Sequence, residues 1–253
     1  MCIVALAWQL IPDQPVVLLA NRDEFYARET QPLHVWPDQP IVAGRDQQLG
    51  GTWLGVGPNG RWAALTNYRQ MPRQIPEQSR SRGLLVSEFL SGDLSPMAYA
   101  RQIDLQCYEG FSLLMGTREQ AVIVSNRGTA PTALASGLYV LSNALIDVPW
   151  PKTERLRQRV TQEVLPLLRA GQDWQTAALA VLADEHQVEH ETDLPQTGVG
   201  LEMERLLSSI CIRSPIYGTR SSALLSLTDQ GYQIVEHPVV PTGKRISLAA
   251  AFE

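Results

Sequence analysis

Cys2 follows the initiator methionine, and that position gives one cysteine two chemical functions. If Met1 is removed, the thiolate can attack a carbonyl. The free α-amine, with an ordinary pKa of about 7.7–8.0, can accept the thiol's proton near neutral pH. The competing use of Cys2 is structural, as a small apolar residue opening a buried strand. The remaining candidates are scattered. His186 and His190 have the i,i+4 spacing of a helical metal pair, but their surroundings, EHQVEHETD, are acidic and loop-like with no third ligand. They read as solvated surface. His34 and His237 are isolated, so no Ser-His-Asp or Cys-His arrangement is expected. The GPNG run at Gly57 is a turn and not a phosphate loop. No metal and no bound cofactor is expected.

These residues need elements to hold them. A chain of 253 residues buries a large core and admits one domain or two by length alone. There is no clear linker, repeat or low-complexity tract, so a single domain over 1–253 is expected. The composition is 44% hydrophobic and 19% charged, with a net charge of -5, which gives no reason to expect nucleic acid or an anionic membrane as partner. Basic residues cluster only between Arg69 and Arg82, in a Pro-, Gln- and Ser-rich run that reads as a solvated loop. Cys2, Cys107 and Cys211 are far apart and form no CxxC, which argues against zinc or a disulfide framework. Cys107 and Cys211 read as buried and inert. No apolar run reaches the ~18–20 residues of a membrane span, so no membrane insertion is expected. MCIVALAWQLIPDQ has no basic n-region and no A-x-A-like cleavage site. The expected compartment is cytoplasmic and reducing.

Short strands dominate the first half. Apolar runs at residues 2–8 and 16–20 flank a Pro-Asp turn and suggest a hairpin. Residues 52–56 and 61–66 flank GPNG and suggest another. Residues 111–115 and 121–125 flank a short polar turn, and 138–141 is a further short run. Residues 83–90 and 96–103 suggest short helices. Leu156, Val160, Val164, Leu167 and Leu168 recur at helical spacing after Pro151, and Pro166 must kink or end that helix. Residues 174–183 are helical, and 208–212, 223–226 and 232–235 return to strand character. Strands, then helices, then strands predict an α+β layered fold and not an alternating parallel sheet.

Four segments, in this order, carry a resemblance across nearly the whole chain: MCIVALAW, LLANRDEFYAR, GGTWLGV with GRWAALTNYR, and YGTRSSALL. Together they resemble the NRDE family, also called the transport-and-Golgi-organisation family, named for the run Asn21-Arg22-Asp23-Glu24. The resemblance implies the N-terminal nucleophile (Ntn) hydrolase fold, a four-layer αββα sandwich with two stacked antiparallel sheets. The nearest enzymes are cysteine-type acylases and acyltransferases acting on amides. The family is also linked to haem trafficking and to lipid or acyl-CoA homeostasis, without an agreed reaction.

The implied site follows residue by residue. Cys2 is the nucleophile that forms a thioester. Arg22 and Asp23 are the first choice for the cation that lowers the thiol pKa and the carboxylate that holds the amine. The alternative pair, one residue out on either side, is Asn21 and Glu24, because the acylases' arginine–aspartate spacing is not reproduced. Asn67, ending RWAALTN, and Asn143, ending LYVLSN, resemble oxyanion-hole asparagines; each is equally an ordinary turn or cap. Arg220 stands near an acylase arginine that supports the nucleophile or binds a carboxylate, or it pairs with Asp23 or Glu24. Gly50, Gly51, Thr52 and Trp53 read as close backbone packing and a pocket wall. Three readings remain open: an amidohydrolase or acyltransferase acting on a small acylated molecule, a non-catalytic carrier of haem or an acyl ligand in the same pocket, or a scaffold whose polar motifs only stabilise the fold.

Overall fold

The computed structural model describes residues 2–252. Met1, and with it the expected processing step, lies outside the described residues. The chain opens with the expected hairpin, β1 (Cys2–Ile11) and β2 (Gln14–Phe25). Strands β3 (Thr30–Val35), β4 (Val42–Asp46), β5 (Leu54–Val56) and β6 (Trp62–Asn67) follow. Helices α1 (Arg82–Ser91) and α2 (Pro96–Gln102) precede β7 (Phe111–Gly116), β8 (Ala121–Ser125), β9 (Thr129–Ala133) and β10 (Gly137–Leu141). A helical block contains α3 (Pro151–Arg159), α4 (Leu165–Arg169), α5 (Gln175–Leu182) and α6 (Leu201–Leu206). Strands β11 (Tyr217–Leu227), β12 (Gly231–Pro238) and β13 (Ile246–Ala251) close the chain.

The strands form two sheets. One runs β10-β1-β2-β11-β12-β13; the other is the sequential meander β3 to β9. Every pairing is antiparallel. The apolar runs of β1 and β2 are continuous because both faces are covered. Val4, Leu6 and Trp8 point into the core between the sheets, with Leu18, Trp62, Leu114 and Leu225. Ile3, Ala5 and Ala7 point the other way, against Leu156, Val160, Leu168 and Leu182 of the helical block. The second sheet turns Ala63, Leu113 and Val124 towards Leu85, Phe89 and Leu90 of α1. Helices, sheet, sheet and helices are therefore stacked in four layers. Each fully buried Leu or Ile in these interfaces contributes roughly 1.5–3 kcal/mol. Trp8 and Trp62 meet across the central core, 6.4 Å between ring centroids.

Three sequence expectations need correction. Residues 208–212 are not a strand but a turn buried against α5 and β11. Their polar groups are used locally: Cys211 N–H donates to Asp184 C=O (2.8 Å), and Ile212 N–H to the Thr219 hydroxyl (2.9 Å). The basic run is not uniformly solvated, because Arg69 is buried against Glu204. Cys107 is only partly buried, its thiol donating to Asp104 (3.2 Å). Pro166 is accommodated by a wide π-helical turn, Val160–Val164, which places it in the first turn of α4 where no intrahelical N–H is needed.

Candidate functional site

Cys2 and Arg22 are directly opposed in the β1–β2 ladder. Strand alternation decides which neighbours of Arg22 face the same way. Arg22 follows the parity of Leu18 and Ala20, towards the second sheet, and its Nη1 donates to Thr30 Oγ1 of β3 at 2.9 Å. Glu24 shares that parity, lines the cavity and lies 3.9 Å from Arg28. Arg28 in turn bonds Asp46. Asn21 and Asp23 project to the helical side. Asn21 Nδ2 donates to Leu182 C=O (2.8 Å) and Ile210 C=O (2.9 Å), and its Oδ1 accepts from Ser222 (2.7 Å). Those bonds tie α5 and the 208–212 turn to the sheet. Asp23 Oδ1 accepts from Thr219 at 2.7 Å. The two pairs considered from sequence are thus regrouped as Arg22 with Glu24 and Asn21 with Asp23.

A cavity of about 200 Å3 opens at the N-terminal end of β1, lined by Cys2, Arg22, Asp23, Glu24, Trp53 and Asn67 together with Arg82, so Asp23 reaches this wall as well as the helical side. Its wall depends on a close backbone approach. A Cβ on Gly51 would lie 2.3 Å from the Gly83 carbonyl carbon, at the start of α1. A larger groove of about 490 Å3 shares Glu24, Asn67 and Arg82 with the cavity and continues past Phe25, Met71, Met203 and Ile216. Those four side chains are exposed large apolar groups.

The two asparagines are joined to each other. Asn143 Nδ2 donates to Asn67 C=O at 3.0 Å, and Asn143 C=O accepts from Arg69 N–H at 2.7 Å. Asn67 lines the cavity, whereas Asn143 is fully buried behind it. Arg220 is not among the cavity residues. It occupies the irregularity between Thr219 and Ser221 in the β2–β11 ladder, and its Nη1 donates to the carbonyls of Phe25 (3.2 Å), Tyr26 (2.7 Å) and Arg28 (2.8 Å). A bulge re-aims a side chain, and here it aims the guanidinium at the loop leaving β2. Neither pairing with Asp23 nor pairing with Glu24 accounts for it.

The residue that sequence reasoning missed is Lys152, the second residue of α3. It is 2% exposed, and its Nζ donates to Asn143 Oδ1 at 3.4 Å. The single Ser142 O–H lies within reach of two acceptors, the same Oδ1 (3.4 Å) and Cys2 C=O (3.5 Å), and is shared between them. Arg69 and Glu204 form a buried ion pair at 3.1 Å beside it, with the Arg69 guanidinium 4.5 Å from the Trp150 ring centroid. The available signal was weak: a cation in the first turn of a helix opposes the helix dipole and wants another reason to be there.

Burial dominates the electrostatics. It pushes the Cys2 thiol up to about 11; the Asp23 carboxylate adds to the rise, while Arg22 and the Asp23 main-chain N–H oppose it. Burial also raises the Asp23 carboxyl, against the pull of Lys152 and the Thr219 hydrogen bond. It lowers the Lys152 ammonium to about 7, with Arg69 lowering it further and Asp23, Cys2 and Glu204 opposing. Burial raises the Tyr217 phenol, and Asp23 and Cys2 raise it further. Perturbed groups of both signs gather behind one small cavity, a pattern frequent at functional sites. Among the described residues, no group of His, Cys, Asp and Glu is arranged to hold a metal ion.

Two antiparallel sheets stacked between helical layers, with Cys2 heading an interior strand, define an Ntn-hydrolase-type fold. A solved structure with this fold, the Caenorhabditis elegans N-acylethanolamine-hydrolyzing acid amidase ortholog, superposes with a TM-score of 0.51 at 14% identity, over 88% of this chain and 92% of its own. The chain belongs to the Transport and Golgi organisation 2 family, whose model matches residues 1–238. The Transport and Golgi organization protein 2 homologs of Bos taurus and Homo sapiens are each 35% identical over 86% of this chain and 83% of their own length.

Proposed function

We propose that the protein is a cysteine-dependent amidohydrolase or acyltransferase acting on a small acylated molecule. The observation that carries this reading is Cys2 at the wall of a polar cavity, directly opposite Arg22. In the reaction, the Cys2 proton passes to a base and the sulfur attacks the acyl carbonyl. The C–N bond breaks, the departing amine takes up that proton, and the acyl group remains as a thioester. Water or another acceptor then attacks the thioester and regenerates the thiol. A thiol near pKa 11 is protonated at rest, so the step requires a base; with Met1 removed, the α-amine of Cys2 serves. Asn67 stands at the cavity edge, held from behind by Asn143, and its side-chain amide N–H is the candidate donor to an oxyanion.

Intact mass of the native protein, with and without a cysteine-directed acylating probe, tests the reading. Loss of Met1 together with a single acyl adduct mapped to Cys2 supports it. Retained Met1 with a thiol of ordinary reactivity overturns the catalytic version.

A second reading, a carrier for haem or an acyl ligand, is favoured by the 490 Å3 groove and its exposed apolar residues. Titration of haem and of an acyl-CoA into wild type and Cys2→Ala separates the two. Saturable binding unaffected by the substitution favours the carrier; no saturable binding to either ligand removes it. Among the described residues, no helix is long and apolar enough to cross a membrane.

A further inference from the structure

A lysine with almost no solvent access, at the first turn of a helix, is costly to keep unless its charge is used. Lys152 is such a residue. Its Nζ meets Asn143 Oδ1, and that contact determines the amide's orientation, leaving Nδ2 to clamp Asn67 at the cavity edge. The same Oδ1 and the main-chain carbonyl of Cys2 share the Ser142 hydroxyl as donor, which places the clamp next to Cys2. Ionisable groups face Lys152 from several elements: Cys2 on β1, Asp23 on β2, Arg69 after β6 and Glu204 on α6. Tyr217 on β11 faces Asp23, Cys2 and Arg69 in the same cluster. Two acids and one other cation therefore surround a lysine whose protonation changes the charge behind the thiol.

We infer that Lys152 is a titratable positioning residue that tunes Cys2. As ammonium, it gives the Asn143–Asn67 clamp a charge-assisted hydrogen bond and favours the Cys2 thiolate; as neutral amine, it can still donate to Asn143 but no longer supplies the positive charge. The burial that lowers its pKa to about 7 puts the change within the neutral range. The proton moves between Lys152 and solvent, and no other reactant is needed. The inference rests on Cys2 being the reactive residue in the proposed function, but its readout is thiol alkylation, which needs no turnover.

The experiment measures iodoacetamide alkylation of Cys2, followed by peptide mass mapping, between pH 6 and pH 9.5 in wild type, Lys152→Met and Lys152→Arg. At an effective dielectric near 20, the charge of one buried neighbour changes thiolate population by about tenfold. Wild type should therefore exceed Lys152→Met by about tenfold at the acid end and converge with it at the alkaline end. Lys152→Arg, permanently charged, should overtake wild type above the Lys152 pKa. A wild-type to Lys152→Met ratio that stays constant across pH overturns the inference. If Lys152→Met does not fold, Lys152→Arg against wild type decides alone: a widening ratio with pH supports titration, and a constant one overturns it. If Cys2 follows this pH dependence yet no acyl adduct ever forms, the inference stands and the proposed function fails.

Discussion

Cys2 and Arg22 face each other across the first two strands, and the Arg22 guanidinium is anchored there by Thr30 of the opposite sheet. The pairing places a fixed cation beside a buried thiol. It acts against the much larger effect of burial, which still leaves the thiol near 11. Arg22→Met should slow Cys2 alkylation at pH 8 by about tenfold, the size of one nearby charge in a partly buried site. A variant that retains its thermal midpoint and alkylates at the wild-type rate would remove Arg22 from the thiol's electrostatics.

Lys152 makes stability depend on pH with a definite sign. Its folded-state pKa is depressed to about 7, whereas an unfolded lysine titrates near its ordinary value of about 10.4. Between these limits the unfolded chain binds the extra proton, so stability rises with pH there. Below the window both states are protonated and the contribution is constant. Urea unfolding at pH 7, 8 and 9 should show wild type gaining on Lys152→Met by up to ~1.4 kcal/mol per pH unit. Parallel pH dependences in the two proteins would contradict this.

The Arg69–Glu204 pair should be strongly coupled. Both partners are buried, and Glu204 Oε1 also accepts from Thr197 N–H (2.7 Å) and Thr197 Oγ1 (2.6 Å). Arg69→Met leaves that carboxylate without its cation and should cost about 3–5 kcal/mol. Adding Glu204→Gln should recover part of the loss. A double-mutant cycle measured by denaturant unfolding checks it, and additive effects would contradict a direct interaction.

Gly51→Ala should disturb the cavity through the backbone. The new methyl group has no space against the Gly83 carbonyl carbon at the start of α1. A loss of about 1–3 kcal/mol is expected from the forced shift, together with faster proteolysis near α1. An unchanged melting temperature would show that the approach relaxes freely.

Arg220→Ala should loosen the loop after β2 because three carbonyls lose their shared donor. Limited proteolysis between residues 25 and 29 should become faster, with Cys2 alkylation slowed less than in Arg22→Met. Greater loss of alkylation in Arg220→Ala than in Arg22→Met would place the arginine in direct service of the thiol.

The hairpins and the helices after them follow from local patterning: apolar runs, GPNG, Pro151 and the 3.6-residue recurrence are short-range signals. Four strands escaped notice: β3, β9 and β13 lie at sheet edges and keep exposed polar or small side chains, and β4, though largely buried, is a five-residue run whose Gly44, Arg45 and Asp46 break the apolar pattern. The 208–212 run read as a strand because its apolar residues are buried, but burial there comes from docking beneath α5 rather than from pairing. Arg69 looked solvated because its sequence neighbours are; Glu204, which draws it inward, is remote in the chain.

Chain order alone determined the α+β layering and the place of Cys2 at the head of a buried strand, which rest on periodicity, and the family with the stacked sheets it implies, which rests on contiguous motifs. It also carried the alternation that separates Arg22 from its neighbours, but not which face of β2 meets which layer. Packing made that choice by setting one face of the strand against a second sheet and the other against α3 and α5. The same packing buried Lys152, bringing an ammonium from a distant helix to the amide that clamps Asn67. Its altered proton affinity is a product of desolvation, and desolvation exists only once the layers have closed.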